Sequence, residues 1–296
     1  MNFFIPVLVL SMYLGGCHST PVSITATGKI PQVQGHRGSR GTHPENSIPG
    51  FEEALEAGAN WLELDLVLSK DGVPVLSHDP VISPDLCLDR AKKPLSRSIP
   101  IASLTFKELK SYDCGSVPNP SFPDQKTAPG QTFISLEDVL VWKQKTPEKK
   151  VRFNIETKTA ATAKQFQPAP GKFVDSIIRL LRKYHQLENS MIQSFDFRTL
   201  MEAKKLEPSL QLSALFEKPE SVCKVTHNMG VRVASPRFSL VTPGMVEECH
   251  KLGVEVHPWT LNEESDWRKA VSMGVDGIIT DYPRKLVSFL GLKESK

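Results

Sequence analysis

A strong charge of either sign is absent from this chain of 296 residues, whose formal net charge is +3. The basic residues are scattered and form no stripe or cluster, so the sequence has no electrostatic footprint for nucleic acid. Internal repeats and low-complexity tracts are absent as well. With 40% hydrophobic and 23% charged residues, the composition is typical of a folded protein that can bury a sizeable core. Nothing in it implies a protein partner.

The sequence also lacks a hydrophobic run long enough to cross a membrane. Residues Phe3 to Tyr13 are apolar, and Asn2 to Cys17 carry no charged side chain. A membrane-spanning helix needs about 20 apolar residues, which is more than this run provides. We therefore interpret residues 1–17 as an export signal and not as a transmembrane helix.

The end of this signal has a second interpretation. Leu14 to Cys17 resembles the lipobox of bacterial lipoprotein precursors, in which cleavage precedes the cysteine and the Cys17 thiol would carry a lipid. A plain secretory signal that is cleaved nearby is the alternative. Residues 18–32, which are mostly polar and small, would then form a tether. The expected location is the bacterial periplasm or the outer membrane, with a lipid anchor.

Cysteine is scarce, with five in the chain, and none has the spacing of a zinc site. Four lie beyond the signal, an even number in an oxidising compartment. Cys87 and Cys114 would close a loop that otherwise has little regular structure, so we predict a disulfide between them. Cys223 and Cys249 lie in helical, partly apolar segments, where buried free thiols fit the sequence at least as well as a second disulfide.

Strand-like and helix-like segments alternate from residue 33 to residue 292. Apart from one short hairpin return, eight segments have the character of strands: Val33–Gly35, Trp61–Leu68, Val151–Glu156, Met191–Phe195, Leu210–Phe216, Val231–Ser235, Val254–Thr260 and Gly277–Thr280. Helical periodicity marks these segments between them: Asn46–Ala57, Ser135–Gln144, Phe173–Tyr184, Phe197–Leu206, Thr242–Leu252 and Glu263–Met273. The order predicts an α/β fold, a (β/α)8 TIM barrel, whose functional residues collect at the C-terminal strand ends. These residues fall at or near such ends: His36, Glu63, Asp65, Glu156, Ser194, Trp259 and Asp281.

The segment from Asn60 to Asp79 carries the densest group of candidate site residues. Glu63 and Asp65 are two positions apart on a strand, so their side chains point to the same face. Seven residues separate Asp65 from Val73, too few for a parallel crossover, so the return strand is antiparallel and brings His78 beside Glu63. Two buried carboxylates are costly unless a cation neutralises them, and a hard divalent metal, Ca²⁺ or Mg²⁺, is the expected cation.

Other strand ends supply further polar side chains. The first strand ends at His36 and Arg37. On the strand that begins at Val151, the two-residue period places Asn154, Glu156 and Lys158 on one face. We therefore expect a third carboxylate and an ammonium group to join the first carboxylate pair.

These residue types suit the hydrolysis of a phosphodiester. A bound metal would polarise a phosphoryl oxygen, while Arg37 as a fork and Lys158 as a point charge would contact phosphate. His36 and His78 arrive from different strands and could act as general base and general acid on opposite sides of phosphorus. Attack by water and attack by a hydroxyl of the substrate itself both fit these residues.

Residues 80–130 interrupt the alternation. They are rich in Pro, Ser and Asp, with one helical stretch from about Thr105 to Tyr112. Long irregular segments of compact domains are usually lids or binding loops. We predict that this insertion lies over the C-terminal face of the barrel.

Seven short motifs together resemble the glycerophosphodiester phosphodiesterases. They are H-R-G at 36–38, P-E-N-S at 44–47, E-L-D at 63–65, K-D-G-V-P-V-L-S-H-D at 70–79, N-I-E-x-K at 154–158, W-T-x-N at 259–262 and D-G-I-I-T-D at 276–281. They run in order from about residue 33 to the C-terminus. The chain departs from many relatives at Thr157 and at Leu261-Asn262, which do not touch the expected chemistry.

The resemblance implies a fold, a reaction and a set of roles. The fold is a (β/α) barrel of eight strands, and the reaction is hydrolysis of small glycerophosphodiesters to sn-glycerol 3-phosphate and an alcohol, with one divalent cation as cofactor. The implied roles are metal binding by Glu63, Asp65 and Glu156, acid/base catalysis by His36 and His78, and phosphate contact by Arg37 and Lys158. The insertion resembles those that cap the glycerol phosphate pocket.

Three further residues are candidates for substrate contact. Glu45 fits this role and the N-terminus of a helix equally well. Trp259 could floor a pocket or pack in the core, and we favour the pocket. For Phe195 the sequence leaves the same two roles open. The remaining histidines have no companion pattern and are interpreted as surface or packing residues: His43, His185, His227, His250 and His257.

Two other functions are compatible with the same barrel. A lysophospholipase D or another phospholipase-type phosphodiesterase acting on intact lipids would use the same metal site with a more apolar pocket entrance. A surface-binding lipoprotein without activity would keep the barrel but carry substitutions in the site. We find no such substitutions among the motifs.

Overall fold

The computed structural model describes residues 29–146, 150–159 and 169–293. Its strands are β1 (Gln32–Gly35), β2 (Trp61–Leu68), β3 (Pro74–Leu76), β4 (Val81–Ile82), β5 (Ile99–Pro100), β6 (Arg152–Thr157), β7 (Ser190–Ser194), β8 (Gln211–Phe216), β9 (Val233–Pro236), β10 (Glu255–Val256) and β11 (Gly277–Thr280). The helices are α1 (Ile48–Glu56), α2 (Phe106–Leu109), α3 (Leu136–Gln144), α4 (Pro170–Lys183), α5 (Phe197–Leu206), α6 (Val222–Asn228), α7 (Pro243–Lys251), α8 (Glu264–Met273) and α9 (Pro283–Phe289).

Eight of these strands form one parallel sheet, with the order β10-β9-β8-β7-β6-β2-β1-β11. Backbone hydrogen bonds also link the two ends of this sheet, beside β10 and β11. Asp276 N donates to Val256 O at 2.9 Å, and Ile279 N donates to Pro258 O at 3.1 Å. The sheet is thus a nearly closed barrel with helices between its strands. The predicted (β/α)8 fold is confirmed.

Local sequence signals explain how the first helix is placed. Ser47 precedes α1 with an extended backbone, and its hydroxyl accepts a hydrogen bond from Gly50 N. A serine in this position satisfies one of the free N–H groups of the first turn, and Pro49 is compatible with the same turn. Phe51 and Ala54 then lie on the buried face of α1. The segment before the helix is therefore held at the C-terminal end of β1.

The hairpin after β2 has the predicted antiparallel geometry. β3 pairs with β2 so that Leu66 lies opposite Leu76 and Val67 opposite Val75. Beyond the strand, Ser77 N donates to Asp65 O at 3.1 Å. This pairing returns the chain to the C-terminal end of β2.

The insertion lies against the loop that follows β1. Gln125 Nε2 donates to Arg40 O at 2.6 Å, and Lys126 N donates to Thr42 O at 2.8 Å. The insertion has more regular structure than the sequence indicates, because β4 and β5 pair antiparallel over a small apolar core. A disulfide joins Cys87 to Cys114, with Cα atoms 4.0 Å apart.

A second disulfide joins Cys223 of α6 to Cys249 of α7, with Cα atoms 4.7 Å apart. Of the two alternatives that the sequence leaves open for these residues, the structure therefore has the disulfide. Their apolar surroundings are real, since both side chains are buried, but the packing of α6 beside α7 brings the sulfur atoms together. Sequence periodicity shows which face of each helix is buried and not which helix it meets.

The predicted signal segment, its Cys17 and most of the predicted tether lie outside the described residues. Within the ranges that the structure does describe, no helix combines the length and the apolar character needed to cross a bilayer.

Candidate active site

Three buried carboxylates meet at the C-terminal ends of two adjacent strands. Glu63 and Asp65 belong to β2 and Glu156 to β6, and the register places Asp65 directly opposite Glu156. Each offers an oxygen to a cluster whose atoms lie within 4.8 Å of one another. The two-residue period of β2 turns Glu63 and Asp65 inward together.

The cluster concentrates negative charge in a buried place. Burial raises the pKa of Glu63 well above its ordinary value, and the neighbouring Asp65 and Glu156 raise it further. Burial likewise raises the pKa of Glu156. Burial opposes ionisation of Asp65 too, but the cations Arg37 and Lys158 hold its pKa below the ordinary range.

The donor atoms of the cluster fit a hard divalent cation. Asp65 Oδ1 is buried and has no hydrogen-bond partner, although a buried carboxylate oxygen is normally paired. Ca²⁺ and Mg²⁺ bind carboxylate oxygens, and a cation at this point would offset the repulsion among the three acids. Glu63, Asp65 and Glu156 could therefore hold a metal ion.

Arg37 organises the side of the cluster next to β1. Its φ of 51° is in the left-handed region, and in that conformation its backbone N donates to Glu63 Oε2 at 2.7 Å. The guanidinium donates to Glu45 Oε2 at 2.9 Å, and its Nε lies 3.3 Å from Asp65 Oδ2. These carboxylates outweigh burial and raise the pKa of Arg37, so the side chain remains cationic.

Lys158 flanks the cluster on the β6 side. Its ammonium donates to Glu156 Oε1 at 2.8 Å and lies 3.7 Å from Asp65 Oδ1. Burial would lower the pKa of Lys158, but Glu156 and Asp65 raise it above the ordinary value. A second fixed cation thus borders the carboxylates.

His36 is held by a buried carboxylate on the last strand of the barrel. Its Nδ1 lies 2.7 Å from Asp281 Oδ1, and Arg40 and Asn262 donate to the same carboxylate. Burial lowers the pKa of His36 to about 4, although Asp281 opposes this shift. At neutral pH His36 is therefore uncharged, and its Nδ1 is occupied by Asp281.

His78 enters the site from the hairpin return. It follows β3, its Nδ1 lies 2.9 Å from Asp79 Oδ1, and its side chain is 35% exposed. His36 and His78 thus differ in exposure, since the side chain of His36 is 12% exposed and that of His78 is 35% exposed.

One cavity of about 370 Å³ joins these groups. Its lining includes His36, Arg37, Glu63, His78, Glu156, Lys158, Phe195 and Trp259. Phe195 and Trp259 form an edge-to-face pair with ring centroids 5.6 Å apart, and Trp259 Nε1 donates to Ser235 O at 2.8 Å. Phe195 remains 41% exposed, so this pair forms an apolar edge of a polar cavity.

Two predicted residues lie beside this cavity. Asp65 is fully buried beneath it and contacts Arg37 and Lys158. Glu45 lines a neighbouring cavity of about 70 Å³ under the insertion and accepts a hydrogen bond from Arg37, while the cap of α1 is Ser47.

The supporting roles of several residues were missed by sequence reasoning. The strand-end rule places Asp281 at the barrel mouth but gives no sign of its pairing with His36. Asn46 donates to Asp65 Oδ2 at 3.0 Å, and Gln193 donates to Glu63 Oε1 at 3.0 Å. Their only sequence signal is a polar residue at a motif or within an otherwise apolar strand.

Comparison with known proteins identifies a matching family model. The model, described as the Glycerophosphoryl diester phosphodiesterase family, matches residues 36–285. A glycerophosphodiester phosphodiesterase of Caldanaerobacter subterraneus subsp. tengcongensis is 30% identical over 264 residues, which cover 87% of this chain and 97% of that protein.

Solved structures show the same similarity. A Silicibacter pomeroyi DSS-3 protein, provisionally named glycerophosphoryl diester phosphodiesterase, superposes with a TM-score of 0.85 at 30% identity, covering 90% of this chain and 96% of its own. An Oleispira antarctica phosphodiesterase, solved in complex with the product sn-glycerol-3-phosphate, has a TM-score of 0.73 at 23% identity, with 90% and 99% covered. At that identity the second similarity concerns the fold alone.

Proposed function

We propose, because the chain belongs to the glycerophosphoryl diester phosphodiesterase family, that it hydrolyses glycerophosphodiesters to sn-glycerol 3-phosphate and an alcohol. The observation that carries the proposal is the meeting of three carboxylates, two imidazoles and two cations around one cavity. Each group meets a separate need of phosphodiester cleavage.

The resident cofactor in this proposal is one divalent cation, Ca²⁺ or Mg²⁺, held by Glu63, Asp65 and Glu156. When bound, such an ion polarises a phosphoryl oxygen and carries part of the charge that develops in the transition state. Arg37 and Lys158 place fixed positive charge beside the same point and bind the phosphate oxygens. Because both cations already contact the carboxylates, they need little rearrangement when substrate enters.

His36 acts as the general base in this proposal. It is neutral near pH 7, and a neutral imidazole whose Nδ1–H is held by Asp281 keeps an unprotonated Nε2. That nitrogen accepts the proton of the attacking hydroxyl group, whether this belongs to water or to the glycerol. The imidazolium that forms is stabilised by Asp281, which lies 2.7 Å from Nδ1. Correctly placed proton transfer typically contributes about a hundred- to ten-thousand-fold in rate.

His78 acts as the general acid. It is the second imidazole in the lining of the cavity, and it lies on the hairpin side, beside the insertion. Its proton passes to the oxygen of the leaving alcohol. In this proposal the leaving alcohol lies toward the neighbouring cavity under the insertion. Residues of the insertion and Asp79 line that cavity, so the insertion contacts the alcohol.

The apolar edge of the cavity supports a second candidate reaction. Phe195 is exposed at the cavity beside Trp259 and could contact the glycerol carbons or the acyl chain of an intact lysophospholipid. We favour the small substrate, since the rest of the lining is polar. Parallel assays with glycerophosphocholine and lysophosphatidylcholine decide the question: faster turnover of lysophosphatidylcholine would reject our choice, and turnover of neither substrate would reject the proposed reaction.

We further propose export, with a lipid on Cys17. The two disulfides support it, because disulfides persist in oxidising compartments. Changing Cys17→Ser should move the protein from the membrane fraction to the soluble extract, while Cys17-containing protein should incorporate labelled palmitate. An unchanged membrane fraction together with no label would contradict lipidation.

A further inference from the structure

A chain of buried polar side chains runs along the interior of the barrel below the carboxylate cluster. It contains three amides, Gln193 of β7, Asn154 of β6 and Gln34 of β1, and we call it the amide chain. All three side chains are at most 2% exposed. Apolar side chains would fill this space without the free-energy cost of burying polar groups, so buried amides here need an explanation.

The hydrogen bonds of the amide chain connect a candidate metal ligand to the opposite end of the barrel. Gln193 Nε2 donates to Glu63 Oε1 at 3.0 Å, and Gln193 Oε1 accepts from Asn154 Nδ2 at 3.0 Å. Asn154 Nδ2 also donates to Gln34 Oε1 at 2.8 Å. Gln34 Nε2 then lies 2.9 Å from His257 Nδ1.

The far end of the chain is also closed by a carboxylate. His257 is fully buried, and its Nε2 lies 3.2 Å from Glu255 Oε2. Since Gln34 presents its NH₂ group to Nδ1, Nδ1 accepts and the ring N–H that donates to Glu255 is on Nε2. The hydrogen bond with His257 lowers the pKa of Glu255, and an ionised carboxylate only accepts, so this end of the chain demands a donor.

This arrangement allows a single orientation for each amide. Asn154 supplies both of its N–H groups, one to each neighbour, and its Oδ1 is left buried with no partner. Rotating any one amide by half a turn would bring two oxygens or two NH₂ groups together. The unpaired oxygen of Asn154 is thus the cost of fixing two glutamines at once.

Glu63 is the residue that gains from this arrangement. Its Oε2 accepts from the backbone N of Arg37 and its Oε1 accepts from Gln193. The two donors come from opposite sides of β2 in the sheet and fix the plane of the carboxylate. Such supporting hydrogen bonds orient metal ligands and tune their affinity.

We propose that the amide chain positions Glu63 for metal binding, with Gln193 as the direct positioning residue and Asn154 acting through it. This inference rests on the proposed function, because it concerns a ligand of the proposed metal. It assigns to three apparently structural amides a role in the affinity of the site for its cation.

The test is calorimetric titration of Ca²⁺, and separately Mg²⁺, into the full chain after treatment with EDTA. Gln193→Met keeps the size of the side chain and removes its amide, and we expect about ten- to a hundred-fold weaker binding, the usual effect of losing such a support. Asn154→Leu should weaken binding as well. Combined with Gln193→Met it should add nothing further, because the side-chain hydrogen bonds that link Asn154 to Glu63 run through Gln193.

Ser213→Ala is the matched control. Ser213 is fully buried in β8, directly opposite Gln193 in the sheet, but its hydroxyl pairs with Ser235 at 2.8 Å and not with the amide chain. This variant should lose thermal stability and keep the wild-type dissociation constant. Equal weakening in Ser213→Ala would overturn the proposal, since any buried polar loss would then have the same effect.

The outcomes separate two failures. If the wild-type protein binds neither cation, the proposed metal site fails. If it binds and Gln193→Met binds equally well, or if Asn154→Leu has its full effect in the Gln193→Met background, the amide chain is not the positioning device. Should either variant fail to fold, nuclear magnetic resonance of the wild-type side-chain amides replaces the titration. Bound cation should shift the amide resonances of Gln193 and Asn154 and leave the resonance of the exposed Asn189 unchanged. An unchanged Gln193 resonance would reject the inference.

Discussion

His36 Nδ1 and Asp281 Oδ1 lie 2.7 Å apart, joining the first and last strands of the barrel. Arg40 Nε and Asn262 Nδ2 bind the same carboxylate at 2.9 Å and 2.7 Å. These two hydrogen bonds thus fix the orientation of the Asp281 carboxylate independently of the imidazole. The ring of His36 is thereby oriented, and its Nε2 is left for substrate.

Replacing Asp281 with asparagine should damage catalysis more than binding. An asparagine can turn its NH₂ group toward His36 and fix the wrong tautomer, so we expect kcat to fall by about a hundredfold. KM should change little, because neither Arg37 nor the carboxylate cluster contacts Asp281 directly. Steady-state kinetics with glycerophosphocholine measure both parameters.

Asp276→Asn provides a closely matched control. Asp276 is also buried and lies 2.9 Å from a histidine, His250, but this pair is at the other end of β11. We expect lower thermal stability with unchanged kcat. Equal losses of kcat in Asp276→Asn and Asp281→Asn would assign the effect to stability and reject the role of Asp281.

The depressed pKa of His36 predicts a pH dependence of folding. Burial lowers this pKa from 6.5 to about 4, so between these values the unfolded chain binds a proton that the folded protein does not. Stability from this group is complete above pH 6.5 and is lost as the pH falls toward 4, by up to about 3 kcal/mol.

Urea unfolding of the metal-free protein at pH 7 and pH 4.5 measures this contribution against His36→Gln. The wild type should lose more free energy of unfolding than the variant over this interval, since other groups titrate alike in both. Parallel losses in the two proteins would show that His36 is not held neutral.

The carboxylate cluster predicts opposite effects of Glu156→Gln with and without metal. Burial raises the pKa of Glu156, so its ionised form destabilises the folded protein as the pH rises above the ordinary range of the group. A glutamine removes that charge and can donate to Asp65 Oδ1, which has no partner. In EDTA at pH 8 we expect the variant to be more stable by about 1 kcal/mol or more.

Saturating Ca²⁺ or Mg²⁺ should reverse this order, because ligands stabilise the protein that binds them more tightly. Thermal unfolding of wild type, Glu156→Gln and the exposed control Glu188→Gln follows the change. If the metal stabilises wild type and Glu156→Gln equally, Glu156 is not a ligand.

The two disulfides predict different functional effects. They close loops of similar sequence separation, 26 and 27 residues, so replacing either pair with alanines should cost about 3 kcal/mol of stability. Cys223 and Cys249 join two outer helices, and their loss should leave KM unchanged. Cys87 and Cys114 hold the insertion and line the cavity beneath it, so their loss should raise KM.

Urea unfolding and kinetics of the two double variants measure these effects side by side. The similar loop lengths make each pair the control for the other. Equal changes in KM for both pairs would show that the insertion does not contact the substrate.

The sequence predicts those parts of the site that follow from strand periodicity. Glu63 and Asp65 share a face because they are two residues apart, and the short connection after Asp65 requires the antiparallel return that carries His78. Alternation of strands and helices is enough to predict the barrel and its functional end.

Strand periodicity does not predict side-chain contacts that form only when the barrel closes. The contact of His36 with Asp281 requires β11 to lie beside β1, and the contact of Gln193 with Glu63 crosses the interior between non-adjacent strands. A single sequence gives neither the partner nor the rotamer of these side chains. The sequence leaves the pairing of Cys223 with Cys249 open for the same reason, because two helices meet through tertiary packing.

Turnover of glycerophosphocholine by the purified chain, treated with EDTA and then supplied with Ca²⁺ or Mg²⁺, tests the central claim most directly. We predict no release of sn-glycerol 3-phosphate in EDTA, full recovery with one of the two cations, and no recovery for Glu63→Gln, which should remain folded. Undiminished release of product in EDTA, or by Glu63→Gln, would contradict the assignment of the carboxylate cluster as the catalytic metal site.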